Sequence, residues 1–157
     1  MAAPEDDFRW PVRVYYEDTD SAGIVYHASY LRFMERARTE WLRSIGFHQR
    51  RLREEQRVLF AVSRLSVEYL EPARFDDLLV VGVRILRHGR ASMHLAQHVS
   101  GDGGAGIPGD PGVSEGAPHA VGRCVCRADV RIACLHAETL RPCAIPPPIR
   151  SELKGDR

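Results

Sequence analysis

The sequence predicts an α+β protein in which one strand precedes a long amphipathic helix and about four antiparallel strands follow it. Apolar and polar residues alternate over residues 8–16, which is the pattern of a strand with one buried face. Over residues 29–45 the apolar residues recur instead at steps of three and four, which is the helical period. Beyond this helix, stretches rich in strand-forming residues are separated by short turns.

The first strand and the helix are predicted from these two periods. The residues that share the buried face of the strand are Phe8, Trp10, Val12, Val14 and Tyr16. The residues that form the apolar face of the helix are Tyr30, Met34, Ala37, Trp41 and Ile45. Ser29 is a candidate N-cap for this helix, and Gly46 is a candidate C′ residue that ends it. The apolar face is wide enough for the helix to pack on a sheet.

The remaining elements follow from composition. The arginine-rich residues 47–57 predict a second short helical piece. Further strands are predicted over residues 59–69, 78–86, 91–99 and about 123–135. Glycine and proline in residues 101–122 predict a flexible loop, and the triple proline at 146–148 predicts an end to regular structure. We therefore expect one domain over residues 1–157, with loose tails at 1–7 and 150–157.

Composition limits the classes of function. The chain has 157 residues, 44% of them hydrophobic and 27% charged, and a net charge of +1. Such values are ordinary for a globular protein, and the near-neutral charge argues against nucleic-acid binding as the main activity. No apolar run approaches the roughly 20 residues that a membrane span needs. The acidic N-terminus lacks an apolar leader, so the cytoplasm is the expected location.

The four cysteines, Cys124, Cys126, Cys134 and Cys143, allow a disulfide or a zinc interpretation. A reducing cytoplasm and a core of sufficient size argue against disulfides. Single-residue spacing from Cys124 to Cys126, and from Cys134 to His136, places each pair on one face of a strand, whereas zinc ligands usually lie in loops. We therefore predict packed or half-buried thiols, with no metal and no cofactor.

The strongest functional signal is the string YYEDTDSAGIVYH at residues 15–27. A strand here enters an acidic turn that leads directly to the long helix. Free N–H groups at the start of a helix favour negative charge, so a carboxylate in this turn could face an oxyanion site. That arrangement is used in acyl transfer. Alternatively, Glu17, Asp18 and Asp20 are turn and capping residues, as acidic residues in turns commonly are.

The pattern D-T-D-x-x-G-x-V-Y-H at residues 18–27 resembles the active-site signature of the hotdog-fold acyl-CoA thioesterases. The match is with the 4-hydroxybenzoyl-CoA thioesterase family and its YbgC-type, Tol–Pal-associated branch, and it covers roughly residues 8–99 and 123–149. The resemblance implies a hotdog fold, in which an antiparallel sheet wraps around one long central helix. It also implies a homodimer or homotetramer with active sites at the dimer interface. Residues 101–122 are an insertion relative to the family pattern.

The resemblance assigns catalytic roles to Asp20 and His27, and the residue types suggest roles for Gly23 and Tyr26. Asp20 would act as the nucleophile or as a general base on water, and the sequence leaves these two roles open. The backbone N–H at His27 would polarise the thioester carbonyl, and its imidazole would add a hydrogen bond to that carbonyl or to Asp20. Gly23 would permit a positive φ and a close approach of substrate to the backbone. Tyr26 would line the pocket.

Arg87 and Arg90 lie in a predicted basic hairpin tip. By resemblance this tip would bind the phosphates of coenzyme A or of an acyl-carrier protein, for which arginine has a suitable geometry; the alternative is a solvated turn. The arginine-rich residues 32–57 are either a solvated face or a docking surface for an acidic carrier protein or an anionic membrane.

Two function classes therefore remain at this point. The first is an acyl-CoA or acyl-carrier-protein thioesterase. The second is a non-catalytic acyl-binding or scaffold protein on the same fold, associated with cell-envelope machinery, because a fold does not determine a function. Asp20 favours the enzyme, since a protein that only binds its ligand has no need of an ionised carboxylate beside an oxyanion site.

Overall fold

A computed structural model of the chain describes residues 8–101 and 122–153. The predicted tail at 1–7, the last four residues of the predicted tail at 150–157, and the predicted loop except for its end residues lie outside the described residues. Five strands form one antiparallel sheet in the spatial order β1-β3-β4-β5-β2. The strands are β1 (Phe8–Arg13), β2 (Val58–Tyr69), β3 (Leu78–His88), β4 (Ser92–Gly101) and β5 (Cys124–His136). Each of the four later strands begins and ends within two residues of its predicted bounds.

The long helix α1 (Ser29–Ser44) packs against β1, β3 and β4. Its apolar residues recur on one face, and Phe33, Met34 and Ala37 are completely buried there. Burial of this face is what holds the helix on the sheet, because apolar area removed from water is the main favourable term in folding. The predicted α+β class is confirmed, as is the hotdog arrangement of an antiparallel sheet around one long helix.

The two ends of α1 differ in how well they were predicted. Gly46 has a φ of +93°, and its N–H donates to the carbonyl of Arg43, so its predicted role as the C′ residue is confirmed. The prediction that Ser29 is the N-cap is wrong. Ala28 occupies that position with helical backbone angles and no side-chain cap, so Ser29 already lies inside the helix and is buried.

The chain leaves β1 earlier than alternation predicts. Val12 and Val14 are buried as expected, but the strand ends at Arg13 and a 3₁₀ turn follows at Tyr16–Asp18. Tyr16 is 79% exposed and stacks on Phe75 at a ring-centroid distance of 4.1 Å. Its predicted place on the buried face is therefore wrong, because the turn rotates the side chain away from the sheet.

The predicted short helical piece is confirmed as α2 (Gln49–Arg51), which continues into a wide helical turn at Leu52–Gln56. The predicted end of structure at residue 146 is corrected by α3 (Pro147–Glu152). Proline is compatible with the first turn of a helix because the N–H that it lacks has no intrahelical partner there. Ile149 is completely buried, so apolar packing orders residues 150–153 that the sequence predicted to be loose. Within residues 8–101 and 122–153, no helix combines the length and apolar character needed to cross a bilayer.

Candidate active site

Asp20 begins a tight turn that precedes α1. Its N–H donates to the carbonyl of Ile24 at 3.0 Å, and the N–H of Gly23 donates back to the Asp20 carbonyl at 3.0 Å. The Asp20 side chain is exposed, and its Oδ1 accepts a hydrogen bond from the N–H of Ala22 at 2.8 Å. No donor in the described part of the chain contacts Oδ2. The turn therefore orients the carboxylate through one oxygen and leaves the other available.

Gly23 closes this turn with a φ of +73°, which confirms the predicted positive φ. A Cβ at this position would meet no atom within 4 Å. Glycine is therefore favoured here because of the backbone conformation, which costs other residues roughly 1–2 kcal/mol, and not because of crowding.

Asp18, two residues earlier, has a different environment from Asp20. It is only 3% exposed, and its Oδ2 accepts a hydrogen bond from the N–H of Tyr15 at 2.9 Å. Its carbonyl also accepts from the N–H of Tyr26 at 2.8 Å. The carboxylate of Asp18 therefore stabilises the turn, which is the role that the capping alternative predicts for these acids. The carboxylate of Asp20 instead keeps one oxygen available to a ligand.

His27 lies two residues before α1. Its backbone N–H donates to no acceptor among residues 8–101 and 122–153, although most N–H groups in a folded chain are paired. Its imidazole contacts the ring of Tyr26 at 4.4 Å and the edge of Tyr69 at 6.4 Å. The imidazole forms no hydrogen bond within the described ranges, so the expected hydrogen bond to Asp20 is not formed in this structure.

Tyr69 is a site residue that the sequence did not reveal. It is the last residue of β2, and its hydroxyl donates to the carbonyl of His27 at 2.8 Å. Partial burial raises the pKa of Tyr69, and since a phenol is protonated at neutral pH in any case, the hydroxyl is available as a donor. The only signal in the sequence is a tyrosine at the end of a strand, and no spacing rule connects that position to the start of α1.

The segment between β2 and β3 supports the turn from the other side. The N–H of Val25 donates to the carbonyl of Ala73 at 2.8 Å, and Ile24 forms a β-bridge with Arg74. The N–H of Ala73 in turn donates to the hydroxyl of Tyr30 at 3.3 Å. Burial raises the pKa of Tyr30 to about 12. The turn that holds Asp20 is thus attached both to α1 and to the sheet.

Arg87 and Arg90 lie far from this turn within one protomer. Arg87 lies near the His88 end of β3 and Arg90 in the turn that follows, whereas the Asp20 turn lies beside the Leu78 end. A strand of this length separates its ends by about 30 Å. Both arginines are exposed, and a guanidinium nitrogen of Arg87 lies 3.5 Å from Nδ1 of His94. The structure therefore brings together Asp20, Gly23, Tyr26 and His27, and it does not bring the two arginines to them.

The arginine-rich stretch carries its own counter-charges. Arg50 pairs with Glu54 at 3.1 Å and Arg51 pairs with Glu55 at 3.0 Å, each one helical turn apart. These pairs are largely exposed, so each contributes little to stability. They reduce the positive potential of this surface, which favours the interpretation of a solvated face.

Comparison with known proteins identifies the family. Residues 22–107 match the model of the thioesterase superfamily. The chain is 40% identical over 147 residues to the acyl-CoA thioester hydrolase YbgC of Escherichia coli O6:H1, which covers 94% of this chain and 96% of that protein. It is 35% identical over 147 residues to the acyl-CoA thioesterase YbgC of Haemophilus influenzae, covering 94% of each.

A solved structure agrees with the sequence relatives. The crystal structure of a probable thioesterase from Bartonella henselae is 31% identical and superposes with a TM-score of 0.70. The match covers 88% of this chain and 98% of that one. The chain therefore belongs to the thioesterase superfamily, and it is a thioester hydrolase.

Proposed function

We propose that this thioesterase hydrolyses acyl-CoA thioesters to the free acid and coenzyme A. In this proposal Asp20 is the nucleophile or the general base, and the backbone N–H of His27 is the oxyanion donor. The observation that carries it is the presence, on the loop before the long helix, of an exposed carboxylate and of an N–H with no acceptor among the residues that the structure describes. The relatives named as acyl-CoA thioesterases support the class of substrate.

The chemistry follows from these two groups. Either the Asp20 carboxylate attacks the thioester carbonyl, or it removes a proton from a water molecule that attacks. Negative charge then develops on the carbonyl oxygen, where the His27 N–H and the positive end of α1 stabilise it. The carbon–sulfur bond breaks and a thiolate leaves. A free thiol has a pKa of about 8.5, so the leaving group needs little help from a general acid.

Thiol release tests the proposal. The substrates are short-chain, long-chain and benzoyl esters of coenzyme A, together with one acyl-carrier-protein ester. We expect hydrolysis of at least one coenzyme A ester. Activity on the carrier-protein ester alone would show that the substrates are acyl-carrier-protein thioesters and not acyl-CoA thioesters. A protein inert on every thioester would instead support the acyl-binding or scaffold alternative.

Tyr69→Phe is expected to lower kcat about 3- to 10-fold with little change in KM. The variant removes one hydrogen bond, typically worth about 0.5–1.5 kcal/mol, that orients the residue bearing the oxyanion donor. Steady-state kinetics on the best substrate measure this effect.

Tyr16→Phe is the matched control for that variant. Tyr16 also lies beside the site, but its hydroxyl forms no hydrogen bond within the described residues. It should therefore keep wild-type kinetics. An unchanged kcat in Tyr69→Phe would show that the hydroxyl does not position His27.

We further propose a homodimer or homotetramer in which the Arg87–Arg90 tip of one subunit binds coenzyme A phosphates at the Asp20 site of another. The separation of the two regions within a protomer supports a shared site. The strand β2 supports an oligomer, because it is a 12-residue edge strand that exposes Val62 and Leu65. The expected cytoplasmic location and the association with Tol–Pal machinery are proposed from the sequence and its resemblance alone.

Mixed oligomers test the shared site. Arg87→Ala combined with Arg90→Ala is expected to raise KM about tenfold, since it removes charged hydrogen bonds to phosphate. Asp20→Asn should keep no more than about a hundredth of the wild-type kcat. In a hybrid of the two variants, one site regains both Asp20 and the arginine tip, so low-KM activity should return on mixing.

Each variant mixed with itself is the control, and light scattering gives the mass of the particle. A monomeric protein with full activity, or hybrids with no recovered low-KM activity, would contradict the shared site.

A further inference from the structure

Two thiols outside the candidate active site are in contact. The Sγ atoms of Cys134 and Cys143 lie 3.8 Å apart, and neither forms a disulfide. Cys134 lies near the end of β5 and is completely buried, whereas Cys143 is half-buried in the segment that follows. Formation of a bond of about 2.05 Å requires the two sulfur atoms to approach by less than 2 Å.

The backbone places these two residues opposite each other. After β5 the chain turns back, and Leu135 forms an antiparallel bridge with Pro142. The N–H of Cys143 donates to the carbonyl of Cys134 at 2.9 Å, while the N–H of Cys134 donates elsewhere, to the carbonyl of Ala91 at 2.8 Å. A single backbone hydrogen bond therefore joins the two cysteines. Cys143 can adjust its side chain without breaking the sheet.

The two thiols differ in exposure, and this difference decides which of them an oxidant reaches first. Burial raises the pKa of the Cys134 thiol to about 12, so this sulfur is a poor first target for an oxidant. Cys143 is the thiol that solvent can reach. Within the described residues, no group of three or more His, Cys, Asp or Glu side chains is placed to hold a metal ion. The pair is therefore better suited to forming a bond with each other than to binding a cation.

We propose that Cys134 and Cys143 are a redox-active dithiol that a peroxide converts to an intramolecular disulfide. The Cys143 thiolate attacks one peroxide oxygen, the O–O bond breaks, and a sulfenic acid and hydroxide form. Cys134 then attacks the sulfenic sulfur, the S–O bond breaks, and water leaves with the Cys134 proton. In sum, two thiols and hydrogen peroxide give one disulfide and two waters. Both sulfur atoms are oxidised, and the peroxide oxygens are reduced.

The disulfide would fasten the C-terminal segment to β5. That segment continues through Ile145, whose N–H donates to the carbonyl of Arg90 at 2.8 Å, into α3. The guanidinium of Arg150 donates to the same carbonyl at 3.1 Å. Oxidation therefore stabilises the support of the basic tip, while the Asp20 turn lies at the other end of the sheet.

The test counts thiols and locates the link in the full-length protein. Reduced protein is treated with hydrogen peroxide, blocked with N-ethylmaleimide, and digested with trypsin and an endoproteinase that cleaves after Glu138. Because Glu138 lies between the two cysteines, an intact disulfide joins two otherwise separate peptides. We expect loss of two free thiols per chain, the 134–143 linked peptide, and a rise in Tm of about 5 °C, all reversed by dithiothreitol.

The variants make the result specific. Cys143→Ser replaces a half-buried thiol with a near-isostere, and it should abolish the linked peptide while leaving the reduced-state Tm unchanged. Cys124→Ser, which alters another half-buried cysteine on β5, should form the link as the wild type does. A sulfinic acid at Cys143 with Cys134 still free, or a link that involves Cys124 instead, would overturn the proposal. None of the three readouts requires activity, so the result is independent of the proposed function.

Discussion

Asp20→Asn is expected to lower kcat for acyl-CoA hydrolysis by about a hundredfold or more. Asparagine keeps a side-chain oxygen that can accept the hydrogen bond from the Ala22 N–H, so the turn should retain its shape. It removes the negative charge, and with it the ability to attack a carbonyl or to accept a proton from water. Thiol release at saturating substrate measures the effect, and a thermal melt confirms that the fold is intact.

Glu17→Gln is the matched control, because Glu17 is an exposed acid in the same segment. It should retain wild-type kcat. Equal rates for Asp20→Asn and the wild type would mean that the chemistry lies elsewhere in the fold. Mass spectrometry after a rapid quench separates the two possible roles. An acyl adduct on Asp20 identifies a nucleophile, whereas the absence of an adduct during rapid turnover favours a general base.

Phe33→Ala is expected to lower the free energy of unfolding by about 3–5 kcal/mol. Phe33 lies on the buried face of α1 and is completely buried, and its ring packs edge-on against Tyr30 at a centroid distance of 6.1 Å. Truncation removes apolar area from the interface between helix and sheet and leaves a cavity that neighbouring residues can only partly fill. Denaturant titration measures the loss, and Tm should fall by roughly 10 °C.

Arg36→Ala provides the comparison on the same helix. Arg36 is exposed, so its replacement should change the free energy of unfolding by no more than about 0.5 kcal/mol. Similar small losses in both variants would show that the packing of α1 on the sheet does not dominate stability.

The Asp20 turn shows both what local sequence predicts and where it stops. A positive φ at Gly23 was predictable because turn geometry depends on a few adjacent residues. The different burial of Asp18 and Asp20 was not predictable, since both are aspartates in the same turn. Only the tertiary structure shows that Asp18 is buried and accepts a hydrogen bond from the Tyr15 N–H, whereas Asp20 is exposed.

The sequence by itself determined the α+β class, the bounds of the later strands and the end of α1 at Gly46, because periodicity and turn chemistry are properties of neighbouring residues. Contacts between distant segments were decided only by the tertiary structure. Examples are the bond from Tyr69 to His27, the meeting of Cys134 with Cys143, and the separation of Arg87 from Asp20. The formation of α3, whose first turn contains two of the three prolines, belongs with them. Each depends on which surfaces the fold brings together. The free energy gained by burying apolar area between those surfaces is a property of the whole fold.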